Sequence, residues 1–155
     1  MKTQGQQSDV LFLSGTRTGF GTFGGTLTDI TATDLGAAAS RGALERSGLK
    51  PEEIDHVVFG NALQTSADAI YLARHVALRS GLPIETPAVT VNRLCGSGFE
   101  AINQGPKQNL PGESRAALAG GAGTRDPAPP ALRGPRRGAP PRPAPVAARP
   151  AGAPG

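Results

Sequence analysis

The sequence predicts an α/β fold with a mostly parallel sheet, built from residues 1–104 of the 155. Three observations predict it. Short apolar runs alternate with small-residue helical segments in the order strand, loop, helix, strand, helix, strand, helix, the pattern of right-handed βαβ units. All five Phe and the single Tyr lie at or before Phe99, whereas 12 of the 15 Pro follow Gln104. Charge divides at the same place: residues 1–104 carry 8 Lys+Arg against 10 Asp+Glu, and residues 105–155 carry 8 against 2. The positive net charge of +4 is therefore a property of the tail, and a reading of the body as a basic nucleic-acid binder is misplaced.

"DVLFLSG", Asp9–Gly15, is an apolar run ending in Gly and predicts a buried strand. "TRTGFGTFGGTLTDITAT" has few helix formers and predicts a long ordered loop. "TDLGAAASRGALERSG" predicts the first helix, with Thr33 as cap, Asp34 at the positive end of the dipole and Gly48 as the stop. Pro51 with Glu52 and Glu53 predicts one helical turn, and His56–Phe59 a strand stopped by Gly60. "TSADAIYLARHVALRSG" predicts the second helix, capped by Ser66 and stopped by Gly81, with Ile70, Ala73, Val76 and Ala77 on one face. "PIETPAVTVN" reads as a strand, and "LCGSGFEAINQ" starts a third helix from a small-residue turn.

From Gly105 on, the apolar side chains beyond Ala are Leu110, Leu118, Leu132 and Val146. Such a segment buries too little apolar surface to offset chain ordering, so residues 105–155 are expected to form a disordered basic tail rich in Pro, Arg and Ala. One cysteine excludes an internal disulfide framework and a Cys-rich zinc site. No apolar run approaches the roughly 20 residues of a membrane span. The polar start "MKTQGQQSDV" resembles neither a secretory signal nor a mitochondrial presequence, which leads to the expectation of a soluble, cytoplasmic, reducing setting.

"GFGTFG", Gly19–Gly24, matches G-x-G-x-x-G, but that fingerprint needs a helix opening at its glycines, and "GTLTDITAT" follows instead. Arg17 reads as a loop residue tying down a neighbouring carbonyl or Asp. His56 and His75 read as structural, and two isolated His with one Cys offer no metal-ligand spacing. Cys95 has a more pointed setting, in "VTVNRLCGSGFEAI". A strand ends, a turn follows, and Gly96-Ser97-Gly98 allow a tight, open helix start. A cysteine there feels the positive end of the dipole and nearby N–H groups, which favour thiolate over thiol and can hold a developing oxyanion. The other reading is a buried, inert Cys at a strand–helix turn. The residues by themselves leave both open.

"NRLCGSGFEAI" resembles the nucleophile motif of the thiolases, the 3-ketoacyl-CoA acyltransferases. "RTGFGTFGGTLTDITATDLGAAASRGALERSGLKPEEIDHVVFGNALQ" is similar to their N-terminal segment, and "DAIYLARHVALRSGLP" to the acetyl-CoA acyltransferase branch of fatty-acid β-oxidation. One departure is Gly19, where the family usually has Pro. The resemblance implies the N-terminal part of a thiolase-like α/β/α/β/α layered fold, in homo-oligomers, dimers or tetramers, with the strand near Pro87–Val91 pairing across the dimer. It implies Cys95 as the acyl-thioester nucleophile in a ping-pong reaction: 3-ketoacyl-CoA is cleaved to acetyl-CoA and a shortened acyl-CoA, or the reverse. CoA thioesters are then the partners, coenzyme A is a substrate, and no cofactor, metal or membrane is implied.

The family's general-base His, in Gly-His-Pro, and its second Cys, in Cys-x-Gly, have no counterpart in this chain. "GESRAALAGG", Gly112–Gly121, resembles the family's next strand, and "ALRGPRRGAP" is a fainter echo. Of the 29 residues from Pro127 to Gly155, 27 are Pro, Ala, Gly or Arg, types with codons beginning with two G/C bases. This points to a shifted reading frame in GC-rich DNA and a truncated thiolase, inactive alone; the other reading is a genuine disordered tail. The alternative function is a non-catalytic thiolase-like fragment whose tail binds nucleic acid or acidic surfaces, although a tail without aromatics makes nucleic acid a poor partner. A ketoacyl synthase or a sterol-carrier thiolase is a further relative to weigh.

Overall fold

The computed structural model describes residues 10–66, 68–107 and 115–125. Three parallel strands form one sheet in the order β2–β1–β3, with β1 at His56–Gly60, β2 at Ala88–Val91 and β3 at Ala117–Gly121. The central position of β1 follows from its sequence. Val57, Val58 and Phe59 are all buried, the unbroken apolar run of a strand covered on both faces. The helices are α1 at Ala32–Ser47, α2 at Leu72–Arg79 and α3 at Ser97–Lys107. α1 and α2 pack on the face carrying Val57, Phe59 and Leu118; α3 packs on the other face. The result is three layers, helix–sheet–helix, of the α/β class.

Register explains the close fit. Val57 pairs with Leu118 and Phe59 with Gly120, so the Phe59 ring lies over Gly120, where a Cβ would come within 2.9 Å of it. Gly36 of α1 has no side chain at the point where Val76 and Phe59 press closest. Leu72, Val57 and Val76 are fully buried here, each stabilising the fold by about 1.5–3 kcal/mol.

α1 is capped by Thr31, not by the expected Thr33. Thr31 Oγ1 accepts from the Asp34 N–H at 3.1 Å and donates to Asp34 Oδ2 at 2.7 Å. Asp34 lies three residues on, where a reciprocal cap requires it. Thr33 is buried and donates to Asp68. Gly48 ends α1 with φ +73°, as expected. Ser66 does not cap the second helix; its hydroxyl donates to Asp68 Oδ1 instead. That helix opens with a 3₁₀ turn at Ala69–Tyr71, whose tighter pitch shifts the phase of the stripe. Leu72 therefore joins Ala73, Val76 and Ala77 inside, and Ile70 is left 52% exposed.

The strand expected at Asp9–Gly15 does not form over its described residues, 10–15. Both edges of β1 are taken by β2 and β3, and this run pairs with neither of those outer strands. Val10 to Leu13 lie exposed. Ser14 and Thr16 instead donate to the Ala43 and Ala39 carbonyls of α1, fixing the chain across that helix. At the glycines of "GFGTFG" no helix opens.

α3 runs past the boundary expected at residue 104 to Lys107, and β3 forms inside the stretch expected to resemble a family strand. Residues 108–114 and 126–155, most of the expected disordered tail, lie outside the described residues. No described helix is long and apolar enough to cross a membrane.

Asp55 ties the start of β3 to the start of β1. Its carboxylate accepts from the backbone N–H groups of Arg115 at 2.7 Å and Ala116 at 3.2 Å. The Arg115 N–H is the main cause that holds the Asp55 carboxyl below its ordinary range, ahead of the opposing effect of burial. A carboxylate depressed in the folded state stabilises the fold above its unfolded pKa, about 4, and that stability is lost as pH falls through the lower folded value. Asp55→Asn is therefore expected to lower the melting temperature at neutral pH and to flatten its fall below about pH 4. Parallel melting curves of the two proteins would refute this assignment.

Candidate active site

Because the strands are parallel, their carboxyl ends share one edge, where the chain leaves β1 at Asn61, β2 at Asn92 and β3 at Ala122. Ligands of open α/β sheets bind beyond this edge. Here the exits are tied together. Asn61 N–H donates to Val91 O, Ala122 N–H to Gly60 O, Asn92 Nδ2 to Ala62 O at 3.1 Å, and Thr65 Oγ1 to Thr124 O at 2.9 Å.

α3 begins directly against this edge. A Cβ on Gly60 would fall 2.3 Å from the Ser97 carbonyl oxygen and 2.8 Å from the Gly98 nitrogen; one on Gly121 would fall 3.2 Å from Gly98 Cα. The first turn of α3 thus rests backbone-to-backbone on the last residues of β1 and β3. Strand-ending glycines are a packing requirement at this point, beyond stopping a strand.

Between β2 and α3 the chain makes one sharp turn through Asn92–Ser97. Leu94 sits in the left-handed region at φ +50°, the one such non-glycine among the described residues. This conformation costs a residue with a Cβ about 1–2 kcal/mol. Its N–H donates to Asn92 Oδ1 at 2.9 Å, and its carbonyl accepts from Ser97 Oγ at 2.6 Å and from the Ser97 N–H. Ser97 is buried, and its Oγ also accepts from the Arg93 N–H at 2.9 Å. Cys95 follows Leu94, exposed, one residue before Gly96, whose carbonyl takes the first α-helical bond, from Glu100. It is not the buried filler that one reading allowed.

Beside the turn a shallow polar groove is lined by Val91, Asn92, Arg93, Glu100, Gln104 and Lys107; Cys95 is not among its lining residues. Hydrogen bonds from Gln104 and then Arg93 hold the Glu100 carboxyl below its ordinary range.

The two histidines stand elsewhere. His56 opens β1 at the amino edge, the far end of the sheet from Cys95, and burial pushes its pKa down; its Nε2 is buried with no partner. His75 lies on α2, across the sheet from α3, with Nδ1 3.2 Å from Asp68 Oδ2. Arg17 donates to Thr18 O and covers the Phe20 ring, the loop role expected of it. Among the described residues no group of three His, Cys, Asp or Glu could hold a metal ion. Sequence reasoning missed Asn92, Ser97, Gly60 and Gly121. Asn92 looked like a turn former and Gly60 like a strand stop, and neither appearance reveals a partner 30 or more residues away in the chain.

Residues 10–131 match the family described as thiolase, N-terminal domain. The chain belongs to the thiolase family. It is 49% identical over 129 residues to the mitochondrial 3-ketoacyl-CoA thiolase of Homo sapiens, a match covering 83% of this chain and 32% of the relative. It is 40% identical over 131 residues to an acetyl-CoA acetyltransferase of Cupriavidus necator, covering 84% of this chain and 33% of that one. Among solved structures, human mitochondrial 3-ketoacyl-CoA thiolase in complex with CoA is similar at a TM-score of 0.68 and 51% identity, over 69% of this chain and 27% of that one. This thiolase chain spans about a third of the length of the curated relatives it matches.

One expectation is corrected here. A cytoplasmic setting rested on the absence of a presequence in the opening residues, and such an absence carries no compartment. The relatives from Homo sapiens, Pongo abelii and Bos taurus are mitochondrial thiolases, which points away from the cytoplasm.

The glycine contact generates a sharp contrast. Gly60→Ala drives a Cβ into the backbone of α3 and is expected to destabilise by about 3 kcal/mol, the upper end of overpacking costs. Gly98→Ala, a few ångströms away on α3, meets open space and is expected to be neutral or slightly stabilising. Denaturant midpoints check both; equal midpoints for the two variants would refute the seating of α3 on Gly60.

Proposed function

We propose that Cys95 is the acyl-accepting nucleophile of a thiolase reaction on CoA thioesters. The observation that carries this is its exposed place on a fixed turn, at the carboxyl edge of the sheet and the start of α3. It also lies in the stretch matched to the thiolase N-terminal domain.

The reaction follows from that nucleophile. The Cys95 sulfur bonds to the keto carbon of a 3-ketoacyl-CoA. The bond between that carbon and the α-carbon breaks, its electron pair stays on the α-carbon, and a proton there completes acetyl-CoA. Free CoA then attacks the acyl-cysteine, its proton passing to the leaving sulfur, and releases the shortened acyl-CoA. The second half-reaction, run backwards, loads Cys95 from acetyl-CoA.

Both proton transfers need an acid or base beside Cys95, and His56 and His75 are held elsewhere, one at the far end of the sheet and one across it. This chain therefore accepts an acyl group without turning over. The outer edge of β2, unpaired among the described residues, supports the homo-oligomeric pairing the family resemblance implies.

Incubation of the whole chain with acetyl-CoA is expected to add the mass of one acetyl group at Cys95, slowly, with no adduct in Cys95→Ala. Absence of the adduct from the native chain would overturn the assignment of the nucleophile. Steady thiolysis of acetoacetyl-CoA at the rate of a complete thiolase would overturn the claim that the chain lacks a working base.

A further inference from the structure

The turn that presents Cys95 is held by two side chains from outside the chemistry. We infer that Asn92 and Ser97 are positioning residues for Cys95, clasping Leu94 in its left-handed conformation so that the sulfur is delivered to the start of α3. The inference rests on Cys95 as the nucleophile.

Every polar group of Leu94 is engaged by the clasp. Asn92 Oδ1 takes its N–H, and Ser97 Oγ and N–H take its carbonyl. Each clasping residue is anchored in turn. Asn92 Nδ2 donates to Ala62 O in the loop leaving β1. Ser97 is buried, its carbonyl pressed on Gly60. The orientation of the turn is thereby referred to the central strand from two sides. Leu94 is 73% exposed, so packing of its own side chain does not hold its backbone. Without the clasp, Leu94 relaxes to a right-handed or extended conformation, as a residue with a Cβ prefers. That rotation swings Cys95, the next residue, away from the helix start. Neither Asn92 nor Ser97 needs to touch substrate for this, and displacements of an ångström in a reacting group are enough to slow a reaction by about a hundredfold.

The test uses the whole chain, with two reagents at Cys95: acetyl-CoA, and iodoacetamide with free cysteine as reference. Asn92→Ala and Ser97→Ala are expected to slow acetylation about tenfold or more and to move the alkylation rate, read against free cysteine, away from the native value. Asn92→Asp keeps the acceptor for the Leu94 N–H and loses only the donor to Ala62, so it is expected to fall between Asn92→Ala and native. The deciding variant adds Leu94→Gly to Asn92→Ala. Glycine adopts positive φ without cost, so this pair is expected to recover a large part of both rates. Recovery by a residue that makes no new contact separates positioning from a general loss of stability. Native rates in both alanine variants, or a loss that Leu94→Gly does not recover, would overturn the inference. If the native chain takes no acetyl group, the nucleophile assignment fails by itself, and the alkylation rates still decide the clasp. Should Ser97→Ala fail to fold, the Asn92 series, on an exposed side chain, carries the same decision.

Discussion

The contact between Gly60 and the Ser97 carbonyl fixes where α3 begins, and most of what matters at the carboxyl edge depends on it. A Cβ at 2.3 Å from a backbone oxygen is an overlap that side-chain rotation does not relieve. With glycine at residues 60 and 121, the first turn of α3 can lie on the strand ends themselves. That close seating brings the positive end of the helix down to the sheet edge, where β2 delivers the chain through Asn92. The chain between Val91 and Ser97 must reverse within a few residues, which is why one of them, Leu94, is forced to positive φ. Strain at the turn and absence of side chains beneath it are two aspects of one geometric demand.

Most of the described charged pairs lie on the other face. On the far face, Asp34, Arg79, Asp68 and His75 link α1 to α2, with Thr31, Thr33 and Ser66 donating to the carboxylates. These bonds hold Asp34 and Asp68 below the ordinary carboxylate range, in each case with a hydroxyl donor as the largest cause, Thr31 for Asp34 and Ser66 for Asp68. On the face of Cys95, one ion pair, Arg93 with Glu100, ties the turn to α3, and neutral amide, hydroxyl and backbone groups hold Leu94.

Local rules in the sequence are enough to recover α1, β1, β2 and α3: a glycine stop after a small-residue helix, an unbroken apolar run, β-branched alternation, a small-residue start. The misreadings share a cause. Val10 to Leu13 look like a strand, but a strand is completed by its neighbour, and this run pairs with no described strand. Ile70 fits a 3.6-residue stripe that the 3₁₀ turn at Ala69–Tyr71 interrupts. Cys95 was legible as a candidate, since its glycine-flanked helix start is local. Its clasp was not, because Asn92 reaches Ala62 and Ser97 presses on Gly60 across gaps of 30 and 37 residues.

Leucine rather than glycine at residue 94 is informative in itself. Glycine would enter positive φ without strain, and glycines already hold such conformations at Gly24, Gly48 and Gly81. Glycine would also enter many others, and a turn that samples them presents its next residue in many directions. A leucine forced into the left-handed well by Asn92 and Ser97 has few alternatives while the clasp holds. The strain at one residue thus narrows the positions open to Cys95, and the nucleophile proposed there would gain from being held before substrate arrives. The same reasoning explains why the clasp refers back to β1 from both sides. A turn anchored only to its own helix would move with that helix, whereas one tied to Ala62 and seated on Gly60 is fixed to the most buried strand of the sheet.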